Sequence, residues 1–213
     1  YNTVYLPTSG QALGLFYGCS NMTSAHFNAD SNAKRGSFRT NGATSLNSMF
    51  SGCTNLQLEE NALSNFSTSS VIDMISMFNG CSSLERINLS SFTTTSVTHM
   101  GSMFYGCTVL ESVNLTSFDT ANVTDMASTF YNCISLESLD LTSFNTAKVT
   151  SMYQMFYGDR ALKTIMVSDT WTNASVTTTS NTFYNCTSLV GGKGTTYSSS
   201  RTSATYARAD GGS

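Results

Sequence analysis

The chain has 213 residues, 40% of them hydrophobic and 11% charged, with a formal net charge of -3. That is long enough for one domain with a substantial core, and too evenly balanced in charge for a nucleic-acid footprint or an acidic tail. The apolar runs are only a few residues long, so the sequence excludes membrane insertion by a hydrophobic helix.

Residues 1–45 read as an irregular N-terminal capping unit, with one echo of the later repeats in Leu15-Phe16-Tyr17-Gly18-Cys19 and an expected loop in the polar run from Asn28 to Arg35. Residues 46–189 form an array. Val97 to Phe118 (VTHMGSMFYGCTVLESVNLTSF) returns almost word for word at Val123 to Phe144 (VTDMASTFYNCISLESLDLTSF), and the matching Cys107 and Cys133 lie 26 residues apart. A fixed period of this size marks a stack in which each unit buries its apolar face against its neighbours. Units led by Val71, Val97, Val123 and Val149 match closely, whereas the unit at Val176 loses two methionines to Thr179 and Thr182. Residues 190–213 read as a C-terminal capping segment, truncated after Asp210-Gly211-Gly212-Ser213; with no initiator Met before Tyr1, the sequence reads as either a mature fragment or an excised piece.

Within a unit the period changes. Val97, Met100, Met103, Phe104 and Cys107 fall at helical spacing, Thr98 suits an N-cap, and Gly106 suits the left-handed end of a helix. The spacing predicts a helix of about two turns. Leu110, Val113, Leu115 and Phe118 then follow the pattern of a short parallel strand. Phe66, Phe92, Phe118 and Phe144, continued by Trp171, are expected to stack in one corner.

The combination V-T-x-M-x-x-M-F-x-x-C-x-x-L-x-x-L-x-L-x-x-F-x-T, carried by Val97 to Thr120 with Val113 at the second leucine, resembles the BspA-type leucine-rich repeats of bacterial surface proteins. The fold expected is an α/β, leucine-rich-repeat-like right-handed solenoid with one short parallel strand and one short helix per repeat. The resemblance implies a noncatalytic extracellular protein-interaction or adhesion module, secreted or on the bacterial cell surface. Its partner would be a host or matrix protein or another bacterial surface component. A passive spacer in a larger multidomain protein or enzyme complex, or a carbohydrate-binding module, is the alternative. A monomer is expected.

Two exposed ladders are candidate sites. Glu85, Glu111 and Glu137 run beside Asn88, Asn114 and Asp140. Stacked like charges need solvent or a cation, so this strip is either a solvated face or an acidic, amide-rich surface for a basic partner. Tyr105, Tyr131, Tyr157 and Tyr184 are the second choice, as a platform for protein or sugar or as a self-packed seam.

The six cysteines recur in phase, Asp159 taking one of their slots, and are expected to be reduced core residues. His26 and His99 are isolated, and no nucleophile and base recur together, so no enzyme, cofactor or metal site is expected. Sequons such as those at Asn88, Asn114, Asn122, Asn173 and Asn185 are expected by chance in a chain this rich in Ser and Thr.

Overall fold

A computed structural model describes residues 10–24, 40, 42–191 and 194–206. The loop expected at 28–35, His26 and the segment 210–213 lie outside the described residues. Short parallel strands pair as β1 (Gly10–Gln11) with β2 (Ala43–Ser45), β3 (Arg86–Asn88) with β4 (Ser112–Asn114), and β5 (Ser138–Leu141) with β6 (Thr164–Val167). The register of β3 on β4 is Arg86 to Ser112, Ile87 to Val113 and Asn88 to Asn114, so equivalent positions of successive repeats lie side by side. A second line of contact runs through single parallel bridges, Ser45 to Asp73, Asp73 to His99, His99 to Asp125, Asp125 to Ser151 and Ser151 to Thr178.

This architecture corrects the expectation of a leucine-rich-repeat-like right-handed solenoid with a helix in each repeat. Among the described residues there is no α-helix, only one 3-10 turn at Ala204–Tyr206, and the strands form three separate two-stranded sheets. The reason lies in the middle of the segment expected to be helical. Ser102 has φ 56°, and Ser48, Ser76, Ser128, Gln154 and Asn181 at the same position all lie between 53° and 59°. A left-handed residue there breaks a right-handed helix and costs on the order of 1–3 kcal/mol for a non-glycine residue, so its surroundings must impose it.

The imposing force is hydrogen bonding between repeats. The N–H groups of Met100, Ser102, Phe104 and Gly106 donate to the carbonyls of Asp125, Ala127, Thr129 and Tyr131 in the next repeat, at 3.3, 2.8, 2.8 and 2.7 Å. Intervening donors close tight turns, Tyr105 N–H to Ser102 O and Cys107 N–H to Phe104 O. A helix would instead direct the donors beyond its first turn to carbonyls of its own segment, leaving none of those for the next repeat. The sequence is weak in helix formers at these positions, and two turns are too short to hold a helix by propensity.

The apolar residues assigned to the helical face are nonetheless buried: Val97, Met100, Met103, Phe104 and Cys107 are each 1% exposed or less. Their alignment between repeats builds a column of seven phenylalanines, Phe16, Phe50, Phe78, Phe104, Phe130, Phe156 and Phe183, with successive ring centroids 5.4–5.7 Å apart. Such aromatic pairs contribute about 0.5–1.5 kcal/mol each beyond area burial. At the other corner Phe66 lies 6.2 Å from Phe92 and Phe118 lies 6.3 Å from Phe144, and Trp171 is 7% exposed.

Beside this corner a buried threonine clamps each repeat to the next. Thr120 Oγ1 donates to Asn145 O at 2.9 Å and accepts from Asn145 N–H at 2.8 Å. Thr68 does the same to Thr93, Thr94 to Asp119, and Thr146 to Thr172. Thr120→Val keeps the shape but leaves the partly buried N–H and C=O of Asn145 without their partner, at a cost of up to about 1–3 kcal/mol each. A loss of about 2 kcal/mol or more in urea unfolding is expected, with Thr120→Ser retaining most of the stability.

Candidate functional site

Glu85, Glu111 and Glu137 are all exposed, at the lead position before each strand. Backbone bonds hold two of these positions to their neighbours, Glu111 N–H to Glu85 O and Lys163 N–H to Glu137 O, both 2.8 Å. The acidic row carries its own counter-charges. Arg86 Nη2 lies 2.9 Å from Glu111 Oε2 and Lys163 Nζ lies 2.8 Å from Glu137 Oε2, each pair bridging two adjacent repeats. All four side chains are more than half exposed, so each pair contributes little to stability, about 0–1 kcal/mol. Their effect is on the surface potential, which becomes a mixed strip in place of an acidic one.

The neighbouring row is occupied by structural work. Asn88 Oδ1 accepts from Ser90 N–H at 3.0 Å, Asn114 Oδ1 from Thr116 N–H and Oγ1 at 3.1 and 2.8 Å, and Asp140 Oδ1 from Thr142 N–H and Oγ1 at 2.9 and 2.7 Å. These are Asx turns that bend the chain out of the strand. In Asp140 the Thr142 hydroxyl and then its backbone N–H hold the carboxyl below the ordinary carboxylate value. The sequence did contain the signal, since Asn88-Leu-Ser90, Asn114-Leu-Thr116 and Asp140-Leu-Thr142 repeat an Asx-turn motif at each strand end.

The tyrosines form the most regular exposed feature. Tyr105, Tyr131, Tyr157 and Tyr184 stack face to face, with centroids 4.4, 4.7 and 4.9 Å apart and planes within 19°. Each follows a ring of the phenylalanine column in sequence, so the buried column brings one tyrosine per repeat into line, and the exposed rings then close to shorter distances than the buried ones. Tyr17 is exposed, but Ser51 and Asn79 hold the positions between it and Tyr105, and the four-ring ladder begins at Tyr105. The outer faces of the end rings aside, stacking covers the ring faces and leaves edges and hydroxyls outward. Desolvation, then the hydroxyls of Tyr105 and Tyr157, push the Tyr131 hydroxyl above its ordinary value, so it stays a neutral phenol.

The thiols are internal. Cys53, Cys81, Cys107, Cys133 and Cys186 are buried and free, and each donates to a phenylalanine carbonyl of the preceding repeat at 2.8–3.2 Å. Burial pushes Cys53 up to about 11 and Cys107 up to about 12, and raises the other three as well. His99 is exposed, with Nδ1 2.8 Å from Thr98 Oγ1. Among the described residues no group of three His, Cys, Asp or Glu side chains is placed to hold a metal ion, and no helix is long and apolar enough to cross a membrane.

Two overlapping segments, residues 19–114 and 106–206, match the model of a family described as Mycoplasma protein of unknown function, DUF285. No curated protein and no solved structure matches the chain. The match, together with the absence of a helix in any described repeat, corrects the resemblance to BspA-type leucine-rich repeats.

Only Cys19 is exposed among the cysteines. A thiol reagent at pH 8 is therefore expected to label one site in the native protein and all six after denaturation, since the buried thiols stay protonated and covered. Rapid native labelling of Cys107 would contradict this placement.

Proposed function

The chain belongs to the DUF285 family, and we propose that it is a noncatalytic protein-interaction module of a bacterial protein, with the tyrosine ladder as its contact surface. The observation that carries the reading is the row Tyr105, Tyr131, Tyr157 and Tyr184, held in register and partly exposed along four successive repeats. Tyrosine offers a large amphipathic contact area at low entropic cost, and here neighbouring rings have already lost much of their freedom before any partner arrives. Preorganisation of this kind favours binding over a merely solvated face.

Protein is a better fit than carbohydrate. A sugar stacks on an aromatic face, and within this ladder the faces are covered by the next ring at 4.4–4.9 Å. What remains is a line of ring edges and hydroxyls, suited to the polar and apolar groups of a peptide surface. The acidic row is the weaker surface because Arg86 and Lys163 already pair with Glu111 and Glu137, while Asn88, Asn114 and Asp140 are engaged in turns. The location proposed with this role is outside the cell, on a bacterial surface or secreted, and is checked by protease access in intact cells.

The test is surface plasmon resonance against immobilised collagen, fibronectin and laminin, with an oligosaccharide array alongside. The quadruple variant Tyr105→Ser, Tyr131→Ser, Tyr157→Ser, Tyr184→Ser is expected to lose at least about tenfold in affinity for any bound protein, equivalent to about 1.4 kcal/mol. Glu85→Gln, Glu111→Gln, Glu137→Gln is expected to change it less than about twofold. Sugar binding would replace the protein reading, and no binding on either surface would favour a spacer.

A further inference from the structure

Asp159 is the one departure from the cysteine column that brings an ionisable acid into the core. It follows Phe156 by three residues, as Cys107 follows Phe104 and Cys133 follows Phe130, and its side chain is fully buried. Oδ1 accepts from Cys133 N–H at 2.7 Å, whereas Oδ2 is buried without a hydrogen-bond partner. A buried carboxylate oxygen with neither a donor nor a cation is among the costliest groups a core can hold.

The column itself indicates how the cost is avoided. Cys107 donates to Phe78 O, Cys133 to Phe104 O and Cys186 to Phe156 O, and the carbonyl in the corresponding place for residue 159 is that of Phe130. A neutral carboxylic acid has an O–H donor to offer there, as a thiol has, and a carboxylate has none. The titratable groups facing Asp159 are the thiols of Cys133 before it and Cys186 after it. Burial keeps both protonated, and neither supplies a positive charge. Its chain neighbour Arg160 is exposed.

We propose that Asp159 is a pH-sensitive latch in the stack: as a neutral acid it replaces a thiol, and on losing its proton it loosens the junctions of its own repeat with the two neighbours that carry Cys133 and Cys186. Burial drives the carboxyl well above the ordinary aspartate value, with only the Cys133 N–H opposing. In the unfolded chain the same group titrates at about 3.9. Stability is therefore complete below that value and is lost progressively as pH rises through the window up to the raised folded value.

The experiment compares the wild-type chain with Asp159→Asn and Asp159→Cys from pH 4 to 9. Asparagine keeps an acceptor for Cys133 N–H and adds a permanent donor, and cysteine restores the column. The ratio of wild-type to variant unfolding constants is expected to rise by up to about tenfold per pH unit within the window, the slope of one proton. Thiol labelling gives a local readout: Cys133 and Cys186 should gain on Cys81 and Cys107 as pH rises, a comparison that cancels the reagent's own pH dependence. A pH-independent ratio would overturn the proposal. Should both variants fail to fold, infrared spectroscopy of wild-type protein labelled with 13C-aspartate decides. A protonated carboxyl band persisting at pH 6 in the folded state supports the latch, and its absence refutes it.

Discussion

The structure depends on hydrogen bonding between successive repeats. Once alternate N–H groups from Met100 to Gly106 are committed to the carbonyls of the next repeat, that segment cannot also bond along its own axis as a helix would. The left-handed serines, the parallel pairing of the strands and the aromatic columns follow from that commitment, because equivalent residues are brought side by side. Thr68, Thr94, Thr120 and Thr146 extend the same bonding between repeats with their side chains. Identical residues recur because the neighbour above must accept what the neighbour below offers.

This constraint explains which parts of the fold were legible in the sequence. The repeat of 26 residues and the buried set, Val97, Met100, Met103, Phe104, Cys107 and Leu110 among them, are written in the spacing of apolar side chains. The short parallel strand between Leu110 and Phe118 was legible as well, but the conformation of the segment before it was not, because intervals of three and four suit a chain of tight turns as well as a helix. The deciding feature was Ser102, a residue with no strong left-handed preference, held at positive φ by partners 25 residues away. The phenylalanine column was missed for a related reason: a helical wheel places Phe104 on a face, whereas stacking places it against Phe78 and Phe130.

The candidate surface was legible in part. The ladders of Glu and Tyr could be read from the period, but not their chemical availability. Lys163 continues the glutamate ladder and its pairing with Glu137 could be read from the period, whereas Arg86 lies one position off the ladder and its pairing with Glu111 depends on how the side chains reach across the repeats. Asn88, Asn114 and Asp140 carried a turn motif that was overshadowed by their membership of a ladder. For the tyrosines, the decisive fact is the orientation of the rings, and periodicity carries no orientation.

Column-by-column matching also sets the grain at which such a chain can change. Excision of Val97 to Asn122 would bring Val123 into the place of Val97 and leave each column continuous, with one member fewer. Loss of a single residue from the same stretch would shift phenylalanine against tyrosine and threonine against its chain neighbour throughout the remainder of that repeat. The heritable unit is accordingly the whole repeat, and near-identical neighbours such as Val97 to Phe118 and Val123 to Phe144 are the substrate on which unequal recombination acts in phase. Length, and with it the number of tyrosines presented in a row, is the property that this architecture leaves free to vary.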